Sequence, residues 1–232
     1  MPRKPLLPFI KRNPDGRFDV GTHALGERTQ LESIIAHCLM AWPPNEAEMA
    51  IVLGQLLGAS QSEAALAVFQ SLRRSSAQRE AISEAARVSL PDDEKLVLAC
   101  VLAAHKSVEE DRNDLTHGHF GTYSNMPDGI LWMPTKAYVD FKTRMELVNQ
   151  PLTDEIKDSL YKQMFYYKAD DLIKIMINIK DMADIWFTFR CCLRARHPQR
   201  AELFHQLCAR PRIRQELDRR NRETTPPAPL GS

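Results

Sequence analysis

The 232-residue chain has no CxxC pair, no long uninterrupted apolar run and no excess charge of either sign. Each absence removes a class of protein. Its five cysteines (Cys38, Cys100, Cys191, Cys192, Cys208) are odd in number and lack paired spacing, which argues against a disulfide framework and for a reduced, cytoplasmic protein. The opening MPRKPLLPFI is broken by Pro2, Pro5 and Pro8, so it does not read as a signal peptide. The most apolar stretch, Leu172 to Phe189, carries Lys174, Asn178, Lys180, Asp181 and Asp184, and no lipid-facing span tolerates that many polar groups. No membrane association is expected. The chain also lacks a Walker loop, a dinucleotide glycine fingerprint and a GxSxG elbow, which sets aside several common enzyme classes.

The charge that is present is unevenly placed. Residues 1–17 hold five cations against one carboxylate, and residues 190–223 hold ten against four. With a formal total of +1, the stretch between them is net acidic. At 44% hydrophobic residues the chain has enough apolar surface for a full core.

Residues 1–28 mix Pro, Gly and basic side chains without a period and read as a flexible basic arm. From Thr29 the spacing turns helical, with Leu31, Ile34, Ile35, Cys38 and Leu39 on one face until Pro43-Pro44. Three further helices are expected: one through Met49, Val52, Leu53, Leu56 and Leu57 to Gly58; one capped by Ser60 or Ser62 with Ala65, Leu66, Val68, Phe69 and Leu72 apolar; and one over Gln78 to Val88. Pro91-Asp92-Asp93 starts a long helix, because proline suits the first turn and carboxylates suit the positive end of the helix dipole. Its stripe of Val97, Val101, Ala104, Val108 and Leu115, with Asp111 filling one step, runs to Thr116 or His117 before Gly118. Residues 119–135, with Asn125-Met126-Pro127-Asp128-Gly129 between two apolar strands, read as a small β-hairpin. A helix over Ala137 to Val148 follows. The clearest period is Leu172, Ile175, Ile179, Met182, Trp186, Phe189 and Leu193, a helix from Asp170 to about Arg196. Shorter helices at 200–208 and 211–220 precede a disordered tail over 223–232. The fold class expected is all-α: a multi-helix bundle over 29–222, read as a single domain with one hairpin inserted after the motif helix. It is expected to be dimeric through the Val97–Leu115 or the Leu172–Leu193 helix.

The chemistry-bearing cluster is Arg112-Asn113-Asp114-Leu115-Thr116-His117. His117 falls at the helix end, where unsatisfied carbonyls favour the imidazolium form. Asn113, four residues earlier, shares its face and is placed to orient the ring. Arg112 stands roughly 140° from His117 around a regular helix, so two copies of the helix bring an arginine and a histidine together more readily than one. Arg112 flanks the apolar stripe and requires a partner, either a phosphate or one of Glu109, Glu110 and Asp111. Arginine precedes histidine at similar spacing at Arg17–His23, Arg190–His197 and Arg200–His205, but Phe18, Cys191 and Ala201 replace the polar residue there.

This cluster resembles the Arg, polar residue, x3, His motif of HEPN proteins, compact helical bundles that are commonly dimeric and in many cases metal-independent RNases or toxins. The resemblance implies that His117 assists attack of a ribose 2′-hydroxyl on the adjacent phosphate, that Arg112 stabilises the phosphoryl charge, and that Asn113 positions them. RNA would be the partner, no cofactor would be required, and a neutralising protein would accompany a toxin or defence role. The rival reading is a non-catalytic helical interaction or nucleic-acid-binding module in which Arg112 and His117 are structural.

Tyr123 and Trp132 on the hairpin are candidates to stack on unpaired bases, and more often such rings pin a hairpin to its bundle. The C-terminal arginines, Arg194, Arg196 and Arg200 among them, are candidates to track an RNA backbone, or else solvated helix faces with acidic partners. Cys192, His197, His205 and Cys208 fit no zinc signature, and no metal site is expected.

Overall fold

The computed structural model describes residues 2–58, 62–146 and 153–224; Ser60, Val148 and the expected tail from 225 onward lie outside the described residues. Helices dominate, as their spacing predicts, and they are joined by a small antiparallel sheet.

The stretch read as a flexible arm carries four elements: β1 (Lys4–Pro5), α1 (Leu7–Arg12), β2 (Phe18–Val20) and α2 (His23–Gly26). Leu6 and Ile10, one turn apart, are buried, and Pro8 falls in the first turn of α1, where its missing N–H leaves no bond unmade. Next come α3 (Thr29–Met40), α4 (Pro43–Leu56), α5 (Ser62–Ser71) and α6 (Ser75–Ser89). Gly58, at φ +62°, follows α4 in the left-handed conformation that a side chain disfavours. Within α5 the buried residues are Ala65 and Phe69, whereas Leu66 and Val68 face solvent.

α7 (Asp92–His117) starts and stops where its signals place it. Its stripe of Val97, Val101, Ala104, Val108 and Leu115 is buried, Asp111 included, within one chain. β3 (Gly118–Tyr123) follows with no intervening residue, then β4 (Gly129–Pro134), α8 (Thr135–Glu146), α9 (Asp154–Tyr161) and β5 (Phe165–Lys168). The hydroxyl of Thr153 caps α9 by accepting from the Ile156 N–H. α10 (Ala169–Arg194), α11 (Gln199–Ala209) and α12 (Pro211–Thr224) complete the described chain.

Contacts group the chain into two compact units, Met1–Trp42 with Glu109–Ile179, and Pro43–Val108 with Lys180–Ser232. The sequence reads 29–222 as one domain because α7 and α10 each cross from one unit to the other without a break in period, and a continuous period carries no mark of a boundary.

In the first unit the strands run β1-β5-β4-β3-β2, all pairs antiparallel. The expected hairpin is present, with Gly118 opposite Pro134 and Gly121 opposite Leu131. It is not an isolated hairpin, however, and the small-hairpin expectation is corrected here: β3 and β4 form the middle of a five-stranded sheet. An isolated two-stranded ribbon is marginal in water, and here β5 and β2 cover both of its edges. Leu6, Tyr123, Met126, Leu131, Met133, Leu160 and Met164 form one buried cluster around it.

Among the described residues of the second unit, every regular element is a helix. Met182, Trp186, Phe189 and Cys192 of α10 are fully buried, and the Trp186 indole donates to His105 Nδ1 at 3.0 Å. Burial pushes the Cys192 thiol up to about 12, so it is an inert core group. Among the described residues no helix is long and apolar enough to cross a membrane.

Candidate active site at the end of the motif helix

Arg112 is half-buried on the flank of the α7 stripe. Its Nη1 donates to Asn113 Oδ1 at 3.0 Å, and its guanidinium carbon lies 5.5 Å from the centre of the Trp42 ring. The Nε atom is enclosed and has no hydrogen-bond partner. Glu109, Glu110 and Asp111 are its neighbours in sequence, yet Arg112 forms no ion pair among the described residues. A ring face holds a cation by about 0.5–2 kcal/mol and offers no acceptor oxygen, so the enclosed Nε–H goes without a hydrogen bond.

His117, the last residue of α7, is exposed, and its imidazole makes no hydrogen bond among the described residues. Its carbonyl is occupied, accepting from Thr135 Oγ1 at 2.5 Å. Asn113 gives its amide oxygen to Arg112, so that oxygen does not hold the His117 ring as its spacing suggests. The structure thus keeps Arg112, Asn113 and His117 within the last two turns of one helix, with the asparagine serving the arginine.

Asp114, inside the motif but assigned no role by it, is the most connected residue of the region. Its carboxylate meets Arg3 Nη1 at 2.6 Å and, at 3.5 Å, the Tyr167 hydroxyl, while its carbonyl accepts from Trp132 Nε1 at 2.6 Å. The Arg3 guanidinium lies between two rings, 4.6 Å from the centres of Trp132 and Phe165. Burial raises the Asp114 carboxyl above the usual range, and the nearby Arg3 charge offsets only part of that. Burial beside Asp114 likewise pushes the Tyr167 phenol up. Gly118 is needed at the joint because a Cβ there would overlap the Trp132 indole nitrogen.

Tyr123 and Trp132 do not present stacking faces. They are 1% and 4% exposed, and the Tyr123 hydroxyl donates to the Asn13 carbonyl at 2.5 Å. Both therefore follow the pinning reading. The C-terminal arginines are largely committed as well. Arg200 reaches Glu94 through Nε at 2.7 Å and Nη2 at 2.5 Å, Arg210 and Arg212 share Asp181, and Arg219 bridges Glu216 and Glu223. Arg194 and Arg196 are exposed.

Trp42, Arg3 and Asp114 escaped the sequence reading. Trp42 lies 70 positions from Arg112 and Arg3 lies 111 from Asp114, and neither separation follows any local period. Asp114 carried a signal, a carboxylate one residue before a buried leucine on an amphipathic helix. Among the described residues no group of three or more His, Cys, Asp or Glu side chains is placed to hold a metal ion. No protein-family model, curated protein or solved structure matches the chain.

Proposed function

We propose that the Arg112–His117 helix end is an RNA phosphodiester site of HEPN type, and that the protein is an endoribonuclease acting by 2′-hydroxyl attack. The observation that carries this reading is a half-buried guanidinium that, among the described residues, meets a ring face and one amide but no carboxylate, five residues from an exposed imidazole that makes no hydrogen bond to them. A phosphate supplies anionic acceptor oxygens to the terminal nitrogens of the Arg112 guanidinium, in place of the carboxylate it lacks. His117 takes the 2′-hydroxyl proton, and Arg112 holds the charge that builds on the non-bridging oxygens. Asn113 keeps the arginine fork oriented. Because the two side chains leave the helix at different angles, each site pairs the His117 of one chain with the Arg112 of a second copy, and a defence or toxin role with a neutralising protein is the setting the resemblance implies.

One observation favours a second reading. Arg112 already rests on Trp42 and Asn113, which is how a binding module holds an arginine for structure and recognises RNA without cutting it.

The deciding experiment is RNA cleavage in excess EDTA by wild type and by folded His117→Ala and Arg112→Ala proteins. Cleavage leaving 2′,3′-cyclic phosphate ends, and lost in both variants, is the expected outcome. Wild type that binds RNA by fluorescence anisotropy but cuts none of several sequences would overturn the enzyme in favour of the binding module.

A further inference from the structure

In-line displacement at phosphorus sets the attacking 2′-oxygen and the departing 5′-oxygen on opposite sides of the phosphoryl group. The proton taken from one and the proton given to the other therefore need two carriers. His117 supplies one. We infer that His119 is the other, the general acid that protonates the leaving 5′-oxygen; this inference rests on the RNA-cleaving reading above.

The two histidines stand two residues apart at one helix–strand joint, and α8 contacts both positions. α7 runs into β3 without a loop, so His119 follows His117 by two residues. Thr135 Oγ1 donates to the His117 carbonyl, and Tyr138, three residues further along α8 and so on the same helix face, stacks on the His119 ring. The ring centres are 3.9 Å apart and the planes 14° from parallel. The first turn of α8 thus holds both positions. Face-to-face stacking fixes the imidazole plane while leaving its nitrogen edge uncommitted, and neither nitrogen of half-buried His119 hydrogen-bonds among the described residues. Three other histidines are engaged, His23 with Asp19, His37 with the Ser33 carbonyl, and His105 with Trp186, while His197 and His205 are exposed on the C-terminal segment, far in sequence from the motif. A ring present only to pack against Tyr138 requires no nitrogen, and this position offers two.

The step balances without a further reagent. The 2′-O–P bond forms and the P–O5′ bond breaks; the 2′-hydroxyl proton passes to His117 and a His119 proton passes to the 5′-oxygen. The products are a 2′,3′-cyclic phosphate and a 5′-hydroxyl, and the two imidazoles recover their starting states through water.

The test uses one RNA oligonucleotide, cut at a mapped site, and its twin carrying a 5′-bridging sulfur at that linkage, whose thiolate departs without a proton. His119→Phe keeps an aromatic ring against Tyr138 and removes the nitrogens. The expected result is a roughly 100-fold loss on the oxygen substrate and a rate within about threefold of wild type on the sulfur substrate, with His117→Ala losing both. A His119→Phe protein of unchanged melting temperature that cuts the oxygen substrate at the wild-type rate, or that loses both substrates equally, overturns the assignment. Wild type that cuts neither substrate overturns the RNA-cleaving reading, and this inference with it.

Discussion

In the helical unit, Arg190 and Arg200, both largely withdrawn from solvent, meet carboxylates. Arg190 lies 2.8 Å from Glu48, in charge contact though not aligned as a hydrogen bond, and Arg200 grips Glu94 through two nitrogens. In the sheet-bearing unit Arg3 likewise meets Asp114, but half-buried Arg112 meets a ring face and an amide. The richest arginine cluster in the sequence is therefore largely neutralised from within, while Arg112, in a net-acidic stretch, has no carboxylate among the described residues. Desolvating a cation is costly enough that the partner, rather than the number of cations, tells structure from function.

The largest expected effect on this contrast is kinetic. On the proposed endoribonuclease reading, Arg112→Ala is expected to lower RNA cleavage by about 10²–10³-fold, roughly 3–4 kcal/mol of transition-state stabilisation, and Arg200→Ala to leave the rate unchanged. Initial rates on one oligonucleotide measure both, and a slow Arg200→Ala enzyme would break the comparison. The second effect is on stability. Arg200→Ala strands a nearly buried Glu94 and costs about 2–3 kcal/mol in urea unfolding, discounted from the fully buried case because the pair is partly solvated. Arg196→Ala, at an exposed position, stays within about 0.5 kcal/mol.

The smallest effect is a titration. Because burial raises Asp114, the folded state holds that proton more tightly than the unfolded chain does, so its contribution to stability declines as pH rises from the ordinary carboxylate range through the raised midpoint. A carboxyl NMR titration should find the midpoint above the usual aspartate range and further up in Arg3→Ala, since Arg3 is the charge that lowers it. A midpoint unmoved by Arg3→Ala would show that the 2.6 Å pair carries no electrostatic weight.

The long helices were legible because their signals are local. Pro91-Asp92-Asp93 opens α7 and the four-and-three spacing of Leu172 to Phe189 defines α10, and both survive in the structure. The sheet was legible only at its centre. β1, β2 and β5 are two, three and four residues long, too short for an alternating pattern, and they gain their bonds from strands up to 162 positions away, as Lys4 does opposite Tyr166. At the candidate site the place of Arg112 at the edge of the stripe was readable from spacing, but the Trp42 ring that holds it was not. The burial of Tyr123 and Trp132 could not be read either, because alternation marks which side of a strand a residue takes without saying what covers that side.

The loopless joint between His117 and Gly118 has a consequence for how this chain can vary. A strand has a period of two, so one residue inserted or deleted between the last turn of α7 and β3 would exchange the two sides of that strand, carrying His119 off Tyr138 and Tyr123 out of the core cluster. Substitutions at the exposed positions around the joint are absorbed one at a time, whereas a change of length is felt by the whole strand at once.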